Sequence, residues 1–334
     1  MVESTQTHGR DDRPYPATVE LGAPQVREQV TALKSWFRRH PDMRCLLVID
    51  PTQNDPAADG SRLLASLSRI DLTIDHEAVS PAHYPYLLEL DLESTAGADA
   101  LAQSVELAFD DRRPQAMAEG MGQRIGGWLA TTAAPQEVAS HCSRMMLQRD
   151  DRDRLCLLRF YDPRAFALLW HVLSPVQQQS LLGPIQAWHT LDASAMPVSR
   201  LNTMGRRDEF ELDAAQWQAI HRHGIVNRAL ALHAYDQDRQ PHQHEVDVAV
   251  AAAARARQYG LIDEEDEVKF VSHALAWHPE FDLHPKVLQI LGRKADDEFY
   301  AEQIEQLTPE EIEEICEGVW HERLRTSNNA GGRT

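Results

Sequence analysis

What this chain of 334 residues lacks narrows it first. No apolar run approaches the roughly 18 residues of a membrane-spanning helix, so no membrane partner is expected. The opening residues, MVESTQTHGRDDRPYP, are polar and contain none of the apolar stretch of a secretory signal, which points to a cytoplasmic protein. Cysteine is scarce. Cys45, Cys142, Cys156 and Cys316 have neither metal-ligand nor redox spacing, and they read as reduced, buried thiols. There is no H-E-x-x-H, no G-x-S-x-G, no Walker-type loop and no dinucleotide fingerprint, and Gly120, Gly122, Gly126 and Gly127 are spaced too irregularly to cradle a phosphate. No cofactor, no metal and no catalytic residue is expected.

Basic charge is also short: 33 Lys and Arg stand against 52 Asp and Glu, for a net −19. Such a surface repels phosphate backbones, so nucleic acid is not an expected partner. The excess is uneven. Residues 208–334 hold 26 acidic and 12 basic side chains, a net −14, leaving −5 to residues 1–207. It serves solubility and, in a sharper reading, a basic partner surface. Glu264, Glu265 and Glu267 are the candidate contacts there.

What is present is a globular composition, 43% hydrophobic, in a chain long enough for two domains. Residues 1–20 read as a flexible leader and 326–334 as a disordered tail. Between 21 and 205, strand and helix signals alternate: helix 24–39, strand 44–49, helix 61–68, strand 86–91, helix 97–109, a strand near 124–130, helix 135–148, strand 155–160 and helix 163–173, with an edge strand at 198–202. That alternation predicts a mixed α/β sheet with helices packed on it. After a polar break at 204–209 the strand signal vanishes, and residues 208–325 read as a smaller, acidic, all-helical domain. The fold class is α+β. In the second domain Asp213 caps a helix running through Trp217 and Ile225 toward Leu232, with Gly224 weakening its middle.

The most informative string is RLCLLRFYDPRAFALLWHVLSPVQQQSLLGPIQAWHT, residues 154–190. Leu155 to Phe160 suits a buried strand. Asp162 is the N-cap of the next helix, and Pro163 stands where a helix tolerates proline. Phe166, Leu169, Trp170 and Leu173 form an apolar stripe at helical spacing. Ser174-Pro175 starts a second helix, which Gly183-Pro184 ends before Trp188. Arg159 and Arg164 flank Asp162, and a carboxylate–guanidinium pair there would hold the corner rigid.

This string resembles the effector chaperones, or adaptors, of the bacterial type VI secretion system, in which a strand ending R-x-Y-D-P-R, a helix and then L-x-G-P-I-x-x-W recur. Cys45 to Asp50 and Tyr84-Pro85-Tyr86-Leu87-Leu88-Glu89-Leu90 resemble earlier blocks of the same family, in the same order. Ile125-Gly126-Gly127-Trp128-Leu129 departs from it. On the matching positions the structural signature is Arg159, Tyr161, Asp162, Pro163, Arg164, Gly183, Pro184 and Trp188. The resemblance implies a non-enzymatic protein whose partners are a type VI toxin effector and the VgrG spike protein.

Aromatic residues near these blocks suit either a core or a binding hot spot. Tyr84, Tyr86 and Trp128 are candidate partner contacts, whereas Trp170 and Trp188 suit the core. Two rival classes stay open: a hydrolase using Asp162 with a nearby histidine, Asp50, His171 and His189 being available on paper, and an immunity or regulatory protein for the toxin. The histidines at 221, 223, 233, 242 and 244 lie near acidic residues without zinc-ligand spacing and read as loop and helix-end residues.

Overall fold

The computed structural model describes residues 23–321 apart from 53, 60, 121, 206–209 and 293–298. The leader, the tail and most of the polar break lie outside these residues. The chain runs α1 (Ala23–Arg39), β1 (Arg44–Ile49), α2 (Pro56–Asp59), α3 (Arg62–Ala65), β2 (Arg69–Asp71), β3 (Tyr86–Leu90), α4 (Thr95–Asp110) and α5 (Pro114–Ala118). It continues through β4 (Ile125–Thr131), α6 (Pro135–Met146), β5 (Leu147–Arg149), β6 (Leu155–Leu157), α7 (Pro163–Val172), α8 (Pro175–Leu182), β7 (Ala187–Leu191) and β8 (Pro197–Leu201). The remaining elements are helices: α9 (Ala214–Ile220), α10 (His223–Gln237), α11 (Gln243–Gln258), α12 (Glu264–Ala276), α13 (Pro285–Leu291), α14 (Tyr300–Ile304) and α15 (Pro309–Glu317). The fold is α+β, as the alternation predicts.

Six strands form one antiparallel sheet in the order β2-β3-β1-β4-β7-β8. Alternate residues of β1 enter opposite cores, as the two-residue period of a strand requires. Leu46 and Val48 join Leu129, Val138 and Phe166 on one face. Cys45, Leu47 and Ile49 join Leu33, Leu101 and Trp128 on the other. Helices α1 and α4 cover the second face, and α6 and α7 the first, so β1 reads as a continuous apolar run because both its faces are dry.

The strand expected over 155–160 is corrected. Only Leu155–Leu157 is extended, and it pairs with β5 in a two-stranded hairpin outside the main sheet. Leu155 is exposed, while Leu158 and Phe160 turn inward from irregular backbone to plug the sheet core. The cysteine reading is also corrected in part: Cys45 and Cys142 are buried, Cys156 is half-buried and Cys316 is exposed. The helix expected from Asp213 toward Leu232 is two helices, broken at His221 and Arg222. Gly224 therefore lies in the first turn of α10, where it costs less than in a helix interior. Asp213 does cap α9, in a reciprocal capping box with Gln216.

The two halves share a wall. Phe166, Leu169 and Leu173 of the α7 segment face the sheet core, and Ala167 and Leu168 face the helical core beside Val226 and Ala229. Phe210 and Trp217, beyond the expected division at 208, pack into the sheet-side core. Helix α9 thus belongs to the first unit in packing terms. Among the described residues no helix is long and apolar enough to cross a membrane.

Candidate functional site

The corner between β6 and α7 is built from the inside. Asp162 caps α7, its carboxylate accepting the Arg164 N–H at 2.9 Å. The Arg164 guanidinium closes on the same carboxylate with Nε at 3.2 Å and Nη2 at 2.8 Å. Arg159 lies 3.7 Å from Asp162 and 3.2 Å from Asp50, at the end of β1. Asp50 also accepts the Thr52 N–H at 3.0 Å and the Thr52 hydroxyl, as a turn residue should. Burial would raise the Asp162 pKa, but Arg164 and then Arg159 outweigh it and hold the carboxyl below its ordinary range. The guanidinium of Arg159 also reaches over the Tyr161 ring, 5.8 Å from its centroid, and burial pushes the Tyr161 phenol up to about 12.

Two glycines that carry no phosphate make this corner fit. A side chain on Gly126 would meet the Tyr161 carbonyl oxygen at 2.3 Å. Gly127, at φ +133°, has Trp188 Nε1 only 2.7 Å from where a Cβ would stand. That close approach lets Trp188 donate to the Gly126 carbonyl at 3.1 Å. Its signal in the sequence is a pair of glycines inside a strand pattern, which marks close backbone approach. Gly183 ends α8 at φ +54° with the His141 imidazole in the space a Cβ would need. The Pro184 carbonyl accepts the Thr131 hydroxyl at 2.8 Å, tying the same turn to β4.

A cavity of about 580 Å³ opens beside this corner, where the helical half meets it. Glu119, Arg159, Asp162, Arg164, His223, Asn227 and Arg228 supply its polar wall, and Phe160, Leu169 and Leu232 are among its apolar lining. The structure thus brings Asp162 into one cavity with His223, a residue that chain position groups with the histidines of the helical half instead. Burial, with Arg222 and His221 nearby, lowers the His223 pKa to about 4 and keeps the ring neutral at pH 7. The cavity wall carries no serine, threonine or cysteine among the described residues. His171 lines other cavities, and His189 sits buried in β7 with Nδ1 2.7 Å from the Ser199 hydroxyl.

Three of the expected partner contacts, Trp128, Tyr86 and Glu267, need correction. Trp128 is fully buried, with Nε1 donating to Ser104 at 2.8 Å. Tyr86 is buried under the Arg69 guanidinium and donates to Asp55 at 2.5 Å. Tyr84 is half-buried and donates to the Ile74 carbonyl at 2.8 Å. The Trp128 and Tyr86 rings are taken inside by the sheet. Glu264 and Glu265 are exposed and reach Arg228 at 3.5 and 2.7 Å. Glu267 is 1% exposed and ion-paired to Arg257 at 2.5 Å, so it presents no surface charge.

One cluster is invisible in the sequence. Asp150, Cys156 and His221 each offer a ligand atom within 4.8 Å of the others, a set that suits a borderline cation such as zinc. The Asp150 carboxylate is already engaged by the Arg152 and Arg154 N–H groups at 2.9 and 2.8 Å and by the Arg154 guanidinium at 2.8 and 2.7 Å. A cation would therefore have to displace Arg154. Farther on, Glu245 joins His233 at 2.9 Å to Arg239 at 2.6 Å, which accounts for that histidine without a metal.

The sequence profile of a family described as a domain of unknown function, DUF4123, matches residues 75–180, from the loop before β3 into α8. The matched stretch contains the Tyr84–Leu90 block and the whole Arg159–Arg164 corner. No curated protein and no solved structure matches the chain.

Proposed function

We propose that this protein is a cytoplasmic, bacterial adaptor-chaperone that holds a type VI secretion toxin and assists its loading onto the VgrG spike, without catalysis. The observation that carries the reading is the overlap of two things: the DUF4123 match spans residues 75–180, and the resemblance to the secretion adaptors rests on blocks inside and beside that span. The chemistry of the corner fits such a role. Its charged groups are spent on one another, with Asp162 held by Arg164 and Arg159, and Arg159 shared with Asp50. A general acid needs a carboxyl with a raised pKa, whereas this one is lowered, which weighs against the hydrolase alternative.

In mechanism the adaptor acts by reversible recognition. Apolar surface on the client is covered until handover, and no bond is made or broken. Two halves with different surfaces, one carrying most of the −19 charge, allow client and spike to be engaged together with an avidity set by their spacing. The test is co-expression with a type VI secretion toxin of the same bacterium, followed by affinity capture. The adaptor reading expects the toxin to copurify and the captured complex to retain the spike protein. Capture of neither overturns it.

A further inference from the structure

Along β8, the last strand of the sheet, lies a second cavity of about 600 Å³, walled on its other sides by α7 and the start of α11. Arg200 lines it while being only 5% exposed. Its guanidinium stacks 4.4 Å from the Phe166 ring centroid and 5.3 Å from that of Trp170. Its Nε and Nη1 are buried and have no hydrogen-bond partner. The half-buried guanidinium groups of Arg164 and Arg255 are matched by Asp162 and Asp282, while buried Arg112 donates Nη2 to the Asp192 carbonyl and leaves its own Nε unpartnered, so Arg200 is the one buried guanidinium among the described residues with two unpartnered nitrogens. Among the described residues the only acid on this cavity wall is Asp192, whose Oδ1 already accepts the N–H groups of Ser194 and Met196, both at 2.9 Å.

A guanidinium taken out of water with free donors is costly unless a complementary acceptor arrives. The planar fork of Arg matches a carboxylate best, with two parallel N–H donors. Among the described residues no carboxylate hydrogen-bonds the Nε or Nη1 of Arg200, and Asp192 acts on it only through space. The shape of the cavity says how the acceptor could come. Among the described residues β8 is paired only to β7, so its outer edge offers unpaired backbone groups, and Val198 and Ser199 of that edge line the same cavity. At the far end, Gln179 Nε2 covers the Leu201 carbonyl at 3.3 Å. An extended segment added to such an edge presents alternate side chains to one face. Leu168, Trp170 and Val246 would receive an apolar neighbour of the acid.

We propose that this cavity anchors an extended segment of the client protein, which lies along the free edge of β8 and inserts one Asp or Glu carboxylate against Arg200. The site stands on Arg200 and its cavity, while naming the client as occupant rests on the adaptor reading above. Burial pushes the Arg200 pKa down to about 10, only partly offset by Asp192, so the group still enters the cavity charged at neutral pH. Its burial under two aromatic rings removes competing water, which makes one buried carboxylate a stronger anchor than several on a rim.

The test uses the full chain and fluorescein-labelled hexapeptides of the form Thr-Val-Thr-Glu-Thr-Val, which set two Val on the face of the Glu, with Gln replacing Glu in a control, read by anisotropy. Free benzoate serves as a small-acid competitor. The Glu peptide should bind at least tenfold more tightly than the Gln peptide. Arg200→Met, which keeps the packing on Phe166 and Trp170, should abolish that difference while melting at the same temperature or higher. Arg200→Lys, which keeps the charge and loses the fork, should retain only a small part of it. Equal binding of the two peptides overturns the anchor, as does a Met variant that melts lower and still discriminates. Benzoate binding without any peptide binding overturns the protein occupant in favour of a small acid. Toxin capture unchanged in Arg200→Met overturns the anchor alone. Glu-selective peptide binding with no toxin capture by the unsubstituted chain overturns the client assignment alone.

Discussion

Asp50 and Arg159, 109 residues apart in the chain, meet in an ion pair of 3.2 Å that joins the end of the central strand to the corner preceding α7. Asp50 is buried and Arg159 is partly exposed, so the pair lies between a surface bridge and a core one. A double-mutant cycle on Asp50→Asn and Arg159→Gln should give a coupling of about 0.5–3 kcal/mol in unfolding free energy. Additive effects would mean that the two ends are not energetically joined.

Asp162 is held more tightly, since it caps a helix and carries a bidentate guanidinium. Asp162→Ala removes the cap and leaves the half-buried Arg164 guanidinium without its partner, which should cost about 2–4 kcal/mol in denaturant unfolding. A carboxylate kept for chemistry often costs stability, and its removal leaves the midpoint unchanged or raised. An unchanged midpoint here would contradict the structural role.

Much of this corner is legible in the residues. Asp162-Pro163 announces a capped helix, and Ser174 with Gln177 forms the capping box that a Ser-Pro start suggests. The strands are legible where both faces are covered, because β1 after Arg44 and β4 before Thr131 carry no polar side chain. Leu155–Phe160 has the same composition and misleads for that reason: three of its residues form an outlying hairpin, while Leu158 and Phe160 fill a core from a loop. Composition cannot separate an apolar plug from a strand. Nor can it separate a core aromatic from an exposed one, which is why Trp128 and Tyr86 suggest partner contacts and prove to be core. The Arg200 cavity is out of reach of the sequence because it depends on which acids are absent in space, and Asp192 is eight residues away in the chain.

Acid should weaken the fold before its carboxylates are protonated. Burial lowers the pKa of His189 to about 4, of His223 to about 4 and of His273 to about 3, from 6.5. The unfolded chain then binds more protons between those values and 6.5, so the stability is fully present above pH 6.5 and is lost as pH falls toward 4. For His189, which is nearly fully buried, the loss is on the order of 3 kcal/mol. Unfolding free energy measured at pH 7.5, 6 and 5 should fall in that order, and His189→Gln should flatten the slope. A pH-independent midpoint over that range would contradict these burials.

The acidic helices divide into two kinds of position. Glu264→Lys with Glu265→Lys should change unfolding free energy by less than about 1 kcal/mol, since exposed pairs with Arg228 contribute little. The same double change should slow association with a basic partner more than it speeds dissociation. Glu267→Lys should instead cost about 3–5 kcal/mol, because it sets a second cation against the buried end of the Arg257 pair. Equal stability losses at the exposed and buried positions would contradict this division.

The central claim is recognition of a toxin by a protein that does no chemistry on it. Its most direct measurement is binding kinetics between the purified chain and a type VI secretion toxin cut to remove its toxic domain, at low and at physiological salt. The adaptor account predicts a stable complex with the truncated toxin, a slower association at higher salt, and recovery of the toxin chemically unchanged. Binding only when the toxic domain is present would mark an inhibitor of that domain. Binding to neither form at any salt would contradict the account.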